Sequence, residues 1–467
     1  MSQGTIMAPG GRCGRAARAL AWSLLPTLLL GACARREDGR WNVLFVVVDT
    51  LRADRMSLYG YGRRTTPNLE ALAREGVVFS YARSQAGCTF PSVSSLLTSR
   101  QPAVFLQPGA TMGIPAAVRS LPEILRARGY STAAVSASLI VRHTPSKVNP
   151  AGGFGRGFDV FDESCLEKHA RCVNDRALGL LAAFRQPWFL YLHYMEPHAP
   201  YRPPADHRRR FAAAPPRARQ LGVHAWARRG DTWQIGRRLY DGDTRYGFTP
   251  RDLAHLSDLY DEEIVSFDEH FATLLAALRR RHLLERTLIV LAADHGEELF
   301  DHGHYGHCRD LAYETVLRTP LVLWIPGVAP GRRAALAENL DLVPTLLDYL
   351  GVPAPGLTFD GASLRPAIER DAAVHRRSFA LQGVSRVVYD GRHKLIFDLA
   401  AGGARLFDLS TDPGERTDLS SQRPEETRRL EAAVLRWIES REGPTSSGKS
   451  RRRAEELEKR LRALGYL

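Results

Sequence analysis

The run Asn42–Val48 (Asn-Val-Leu-Phe-Val-Val-Val) constrains this chain more than any other stretch. Its apolar residues follow one another without the polar alternation of a half-solvated strand, and the run is far too short to cross a membrane. Such a run predicts a strand buried on both faces, as in a mostly parallel sheet covered by helices on each side. It ends at Asp49-Thr50. In open α/β sheets ligands gather beyond the carboxyl ends of the strands, so Asp49 stands where function is expected; the alternative is a cap on the next turn.

Two further predicted strands end in chemistry. Pro187 to His193 runs into Tyr194-Met195-Glu196-Pro197-His198-Ala199-Pro200-Tyr201, and Thr287 to Ala292 leads to Asp294-His295-Gly296-Glu297. Strands over Val77 to Ala82, Ser131 to Val135 and Pro320 to Ile325 alternate with helices over Pro67 to Arg74, Ser120 to Arg128, Arg251 to Arg281 and Leu342 to Leu350. This alternation specifies an α/β fold with a doubly wound, mostly parallel sheet. After Pro353 the texture changes to short strands at Ser378 to Gln382, Arg386 to Tyr389, Lys394 to Phe397 and Arg405 to Leu409, separated by Gly and Asp turns. They predict a small antiparallel C-terminal subdomain, closed by a helix over Pro424 to Glu439. A polar linker, Gly443 to Ser450, then leads to a charged helix, Arg451 to Ala463, which reads as a solvated face. The expected organisation is a leader over residues 1–33, an α/β domain over 41–355, the C-terminal subdomain over 356–440 and a charged tail over 441–467.

The leader indicates the compartment. Arg12, Arg15 and Arg18 precede the apolar run Ala19 to Leu30, which closes on Leu30-Gly31-Ala32-Cys33. A basic segment, a short apolar segment and a small-residue cleavage site make a secretory signal. Its ending resembles the bacterial lipoprotein signal, which implies a lipidated Cys33 anchoring the chain to a membrane, with residues 34–40 as a tether; a plain secretory signal or a short anchor is the alternative. Each reading places the chain outside the cytoplasm, in a bacterial periplasm or cell envelope. Four cysteines remain beyond the leader, Cys88, Cys165, Cys172 and Cys308. Cys165 and Cys172 lie close in a loop-like segment, where an oxidising compartment favours a disulfide, but sequence alone leaves the pairing open.

The formal net charge of +13 suits a nucleic acid, a membrane surface or an anionic substrate. The chain has no zinc-finger spacing and no RNA-binding aromatic signature, so nucleic acid is not an expected partner. An arginine-dense insert between Tyr201 and Tyr260 (Arg208 to Arg210, Arg217, Arg219, Arg228, Arg229, Arg237, Arg238) either overhangs the site and attracts polyanions or lipid phosphates, or is a solvated basic loop.

The stretch Cys88-Thr89-Phe90-Pro91-Ser92-Val93-Ser94-Ser95-Leu96-Leu97 reads as a helix beginning at Pro91, because a missing N–H costs nothing at a first helical position. A hydroxyl or thiol just before Pro91 then lies at a helix N-terminus, which favours an anion. Asp49, Asp294 and His295 supply oxygen and nitrogen ligands for a divalent cation, with positions left for substrate.

The motifs Val47-Val48-Asp49-Thr50-Leu51-Arg52-Ala53-Asp54, Thr66-Pro67-Asn68-Leu69, Phe90-Pro91-Ser92, Leu96-Leu97-Thr98, Glu196-Pro197-His198-Ala199-Pro200-Tyr201 and Asp294-His295-Gly296-Glu297-Glu298, in this order, resemble the sulfatase family of the alkaline phosphatase superfamily. The likeness runs from about Asn42 to Leu350 and continues through Gly391-Arg392-His393-Lys394-Leu395-Ile396 and Leu406-Phe407-Asp408-Leu409. It implies that Asp49, Asp294 and His295 hold one catalytic divalent metal ion. Zinc, manganese and calcium are the candidates, and the histidine tilts the choice away from calcium. In the family the nucleophile is a formylglycine made from the Cys of Cys-x-Pro-x-Arg. Alignment on Pro91 puts Thr89 at that position, also in reach of the metal, with Cys88 one residue early and Val93 in place of the Arg. Thr50 stands where many members have a second metal-binding Asp. His198 matches the family's active-site His, and His307 falls near a residue that contacts the transferred group. His302, His304 and His307 also raise a second metal site, against which stands the lack of a carboxylate partner.

Formylglycine hydrate expels sulfate through its second hydroxyl, which threonine lacks. A Thr89 alkoxide attacks phosphorus or sulfur directly, as metal-held threonines do in phosphotransferases and phosphodiesterases of the same superfamily. The expectation is therefore a metal-dependent, sulfatase-like hydrolase of sulfate or phosphate esters carried by a glycan, a lipid or a small molecule. One alternative is a phosphoethanolamine- or phosphoglycerol-type phosphotransferase. The other is a catalytically silent envelope lipoprotein that binds anions, for which Val93 and Thr50 speak.

Overall fold

The Asn42–Val48 run is an interior strand of an eight-stranded sheet in the computed structural model, which describes residues 40–106, 112–165, 170–211, 250–308, 310 and 312–442. In chain order the strands of that half of the molecule are β1 (Asn42–Val48), β2 (Val77–Arg83), β3 (Ser131–Ser136), β4 (Val160–Asp162), β5 (Trp188–Tyr194), β6 (Thr287–Ala293), β7 (Glu298–Leu299), β8 (Tyr305–Gly306), β9 (Arg318–Trp324) and β10 (Gly331–Glu338). The large sheet has the order β10-β2-β9-β6-β1-β5-β3-β4, while β7 and β8 pair with each other. All its pairings are parallel except those of β9 with β2 and β6. The doubly wound, mostly parallel sheet expected from the strand pattern is the one observed.

Among the described residues the α-helices are α1 (Pro67–Ala73), α2 (Thr89–Thr98), α3 (Leu121–Arg126), α4 (Ala170–Ala183), α5 (Pro250–Arg280), α6 (Glu314–Leu317), α7 (Leu342–Tyr349), α8 (Arg365–Arg370) and α9 (Pro424–Glu442). β1 explains why helices must cover both faces. Leu44, Val46 and Val48 pack with Val173 and Ala177 of α4 and Ile264, Phe267 and Phe271 of α5. Val43, Phe45 and Val47 point the other way, into a core with Phe90, Val93 and Leu96 of α2 and Leu342 and Leu346 of α7. Each of these buried side chains contributes about 1.5–3 kcal/mol of transfer free energy, so neither face tolerates water.

Register sets the site. Val48 stands opposite Tyr194 of β5 and Ala293 of β6, so Asp49 and Asp294 emerge side by side at one edge, with His193 one pair earlier.

The C-terminal strands β11 (Ser378–Gln382), β12 (Ser385–Tyr389), β13 (His393–Asp398) and β14 (Gly403–Asp408) form the expected four-stranded antiparallel sheet. Leu430, Val434, Trp437 and Ile438 of α9 cover it by packing on Leu381, Val388, Leu395 and Leu406.

Sequence pattern and structure part in a few places. α2 begins at Thr89 with Cys88 as its N-cap, so Pro91 lies inside the first turn, where no intrahelical N–H is needed either. β10 (Gly-Arg-Arg-Ala-Ala-Leu-Ala-Glu) is too polar at its start to announce itself, and β4 is only three residues long. Helix α4 was hidden by its charged first turns. Cys165 is disulfide-bonded to Cys172, with Cα atoms 5.8 Å apart. Among the described residues no helix is long and apolar enough to cross a membrane. The leader over 1–33, the tether to residue 39, the insert arginines from Arg217 to Arg238 and the tail from residue 443 lie outside the described residues.

A buried charge cluster joins the end of β10 to the approach to β11. His375 Nε2 lies 2.9 Å from both carboxylate oxygens of Asp341, and Ser378 Oγ donates to Glu338 Oε1 at 2.7 Å. Burial disfavours the charged imidazole, but the hydrogen bond to Asp341 and the charges of Asp341 and Glu338 outweigh it and hold His375 at about 9, above the ordinary 6.5. The stabilisation is therefore complete below 6.5 and is lost as pH rises through about 9. Paired thermal melts should show His375→Ala lowering Tm by about 2–4 °C near neutral pH. That gap should close on the alkaline side of the raised value; a gap that stays constant with pH would contradict the assignment.

Candidate active site and metal centre

The chain turns sharply where β1 ends. Asp49 N is held by Tyr194 O at 2.9 Å, and Thr50 then takes a left-handed conformation, φ 58°. That turn aims the Thr50 N–H at Asp294 Oδ1 (3.2 Å) and its hydroxyl back at Asp49 O (2.7 Å). Thr50, at the position of a second metal-binding Asp in the resemblance, thus uses its side chain on its own backbone.

Asp49, Asp294 and His295, the ligands expected from the sequence, are all buried at this end of the sheet. Asp294 Oδ1 accepts from Thr50 N and from His295 N, the latter at 2.8 Å. His295 Nδ1 is bonded to Gly296 O at 2.9 Å, an arrangement that puts the proton on Nδ1 and leaves Nε2 as an acceptor. That nitrogen faces Thr89 Oγ1 at 3.3 Å and Asp294 Oδ2 at 3.4 Å. Thr89 opens α2, whose Ser92 hydroxyl donates to Asp294 O at 2.6 Å and so ties the helix to the end of β6.

His193 joins the group, and sequence reasoning gave it no role. Its Nε2 lies 3.1 Å from Asp49 Oδ2, and its Nδ1 meets the Tyr191 hydroxyl at 2.8 Å. The available signal was its place at the end of an apolar strand that leads into the Glu196-Pro197-His198 motif. Ligand atoms of Asp49, His193 and Asp294 all lie within 4.8 Å of one another.

Electrostatics sets two like charges against each other. Burial pushes the Asp294 carboxyl above its ordinary value and the Asp49 charge pushes it further. Burial also works against the Asp49 carboxylate, but His198, His193 and His295 together hold it below the usual range. Asp49 Oδ1 and Asp294 Oδ2 are fully buried and have no hydrogen-bond partner among the described residues. Two unsatisfied carboxylate oxygens beside an imidazole acceptor and a hydroxyl are the donor set a divalent cation requires, so the residues fit a metal.

His198 and His307, both only partly buried, stand beside this set. The His307 ring is 4.6 Å from that of His295 and 4.9 Å from that of His198. Glu297 holds His307 through Nδ1 at 3.0 Å, and Tyr201 donates to the other Glu297 oxygen at 2.6 Å. Burial opposes protonation of His307, yet the hydrogen bond and charge of Glu297 raise it above its ordinary value. His302 turns away to Glu298 (2.8 Å) and Gly414 O (2.9 Å) and stacks on Tyr313, so the structure does not gather His302 and His307 around one point. Val93, at the family's Arg position, is a fully buried core residue.

Arg52 and Gly296 fix the loop after β6. Arg52 is buried and donates to Glu297 O (3.0 Å) and Asp301 (2.6 Å). A Cβ on Gly296 would come within 2.0 Å of Thr315 O, so the close backbone approach requires glycine.

Comparison with known proteins gives one family. The model of the family described as Sulfatase matches residues 41–352. The chain is 28% identical to human (Homo sapiens) arylsulfatase A, over 85% of this chain and 86% of the relative. It is 24% identical to an N-acetylglucosamine-6-O-sulfatase of Bacteroides thetaiotaomicron, over 74% of this chain and 75% of the relative. Among solved structures it resembles the phosphonate monoester hydrolase of Silicibacter pomeroyi (TM-score 0.68, 22% identity, 86% of this chain and 96% of that one). A protein solved with its substrate D-glucosamine-2-N,6-O-disulfate has the same fold (TM-score 0.69, 18% identity, 87% of this chain and 99% of that one).

Gly296→Ala should therefore displace His295 and weaken zinc binding, measured by calorimetric titration, about 10–100-fold. Unchanged affinity would show that the close approach to Thr315 does not set the centre.

Proposed function

This chain belongs to the sulfatase family of the alkaline phosphatase superfamily, and from that premise we propose that it hydrolyses sulfate or phosphate esters with Thr89 as nucleophile. The observation that carries the reading is the meeting of Asp294 Oδ2 and His295 Nε2 beside Thr89 Oγ1, with ligand atoms of Asp49, His193 and Asp294 all within 4.8 Å of one another and one oxygen of each carboxylate without a hydrogen-bond partner among the described residues. A divalent cation held by these atoms, with His193 beside them, would supply positive charge that makes the Thr89 hydroxyl acidic and offsets the anionic ester oxygens. The imidazole among the donors favours zinc or manganese over calcium.

Thr89 occupies the first helical position of α2, where unpaired N–H groups and the helix dipole favour both its alkoxide and the oxygens of the transferred group. The Thr89 hydroxyl gives up its proton to water, Oγ1 attacks sulfur or phosphorus, the bond from that atom to the leaving oxygen breaks, and the leaving oxygen takes a proton. His198 and His307 flank that oxygen and supply the proton or the neutralising charge. Glu297 keeps the His307 ring turned toward the reacting group. Water then cleaves the Thr89 ester.

The names of the relatives favour sulfate esters of aryl or sugar hydroxyls, and the phosphonate monoester hydrolase brings in phosphorus chemistry. Thr89 lacks the second hydroxyl through which formylglycine hydrate releases sulfate, which favours a second reading. In it, an acceptor alcohol replaces water, and the chain is a phosphoethanolamine- or phosphoglycerol-type phosphotransferase. Residues 41–355 are then the catalytic domain and 356–440 its C-terminal subdomain. The leader favours the periplasm or cell envelope, with anchoring through Cys33; the disulfides Cys88–Cys308 and Cys165–Cys172 support an oxidising compartment.

The test is turnover of an aryl sulfate, a phosphate monoester and a phosphate diester by protein loaded in turn with zinc, manganese and calcium. Thr89→Ala should lower kcat/KM by about 10³-fold or more on whichever ester is cleaved, and His307→Gln by about 10²-fold. Turnover unchanged in metal-loaded Thr89→Ala would overturn the reading. Metal binding without turnover of any ester would bring forward the anion-binding protein.

A further inference from the structure

Two site residues are chained together through their neighbours. Cys88 precedes Thr89 and Cys308 follows His307, and the two cysteines form a disulfide with Cα atoms 4.9 Å apart across a sequence separation of 220. Both are buried. The bond lies in a framed position: Cys308 N donates to Gly87 O at 2.8 Å, Gln382 Oε1 accepts from Gly87 N at 2.6 Å, and Gln382 Nε2 lies 3.4 Å from Cys88 Sγ. Gly87 is pressed against α6, since a Cβ there would come within 2.4 Å of Val316 Cγ1. Cys308 itself takes a left-handed backbone, φ 67°, a conformation that an ordinary residue keeps only when its surroundings impose it.

The consequence is geometric. Thr89 Oγ1 and the His307 ring approach His295 from two different segments, at 3.3 Å from Nε2 and 4.6 Å between ring centroids. The start of α2 and the arm that carries His307 belong to distant parts of the chain. The disulfide is the covalent link that fixes their separation, one residue away from each functional side chain.

We infer that the Cys88–Cys308 disulfide is a positioning element of the reaction, setting Thr89 against His307, so that turnover depends on its oxidised state. The inference rests on the reading of Thr89 as nucleophile. A dithiol such as dithiothreitol breaks the bond by two-electron exchange. Its two S–H groups become its own S–S bond, and Cys88 and Cys308 each leave with one hydrogen. The arm then keeps its non-covalent holds, among them the hydrogen bond of Cys308 to Gly87, the pairing of β8 with β7 and the grip of Glu297 on His307. The Cys165–Cys172 disulfide, with a separation of 7, closes a local loop and serves as the internal control.

The experiment takes the full chain and counts thiols by alkylation in denaturant with peptide mapping, before and after graded reduction. At each stage kcat and KM are measured on the ester the wild type cleaves, with hydrogen exchange followed over residues 87–92 and 303–308. The oxidised enzyme should show Cys88 joined to Cys308. Reduction should lower kcat about tenfold or more, leave KM within about twofold and speed exchange in both segments. Bridging the reduced thiols with diiodomethane should restore most of the turnover, and Cys165→Ser/Cys172→Ser should retain full activity and the same response to reductant. Free Cys88 and Cys308 thiols in active enzyme, or kcat unchanged after complete reduction, would overturn the inference. So would loss of turnover that accompanies global unfolding by circular dichroism, which would make the bond a stability staple. Absence of turnover in every state, with exchange still rising on reduction, would keep the tether and defeat the hydrolase reading instead.

Discussion

Two carboxylates, Asp49 and Asp294, are buried side by side at the ends of adjacent parallel strands, and the rest of the site follows from that placement. Like charges in a low-dielectric interior repel strongly, and each ion also loses its water. Protein groups quench part of the charge: His193 meets one oxygen of Asp49, while Thr50 N and His295 N meet one oxygen of Asp294. One oxygen on each has no hydrogen-bond partner among the described residues. A fold that only needed stability would replace such a pair by apolar residues, so the arrangement is intelligible as the seat of a cation.

The surroundings are built to keep that pair from relaxing. Ser92 ties α2 to the carbonyl of Asp294, Asn339 donates to Ala293 O at 3.0 Å, and Arg52 clamps the loop through Glu297 and Asp301. Gly296 lets the same loop press against the backbone at Thr315. The apolar layers on both faces of β1 make the strand ends rigid, and the rigidity passes to side chains that sit one residue beyond them. Function is thus placed on the loops but positioned by the sheet.

Much of this was legible in the sequence because strong local signals and the site coincide. The run Asn42–Val48 fixes β1 and hence Asp49, and Thr287 to Ala292 does the same for Asp294 and His295. What escaped depends on pairing between distant segments. His193 is indistinguishable from a core histidine until β5 is registered against β1. The partner of Cys88 lies 220 residues away and no local pattern names it. Val93 reads as a missing arginine, whereas in the fold it completes a hydrophobic layer. β10 carries arginines where its first residues leave the core, so its strand character comes from pairing with β2 and not from its own composition.

The central claim, that Thr89 forms a covalent bond with the transferred group, is tested most directly by stopping turnover with acid and mapping the peptide that carries residues 88–99. The account predicts a sulfo or phospho group on Thr89 that disappears when turnover of the substrate is complete. Steady turnover with Thr89 unmodified at every time point would contradict it.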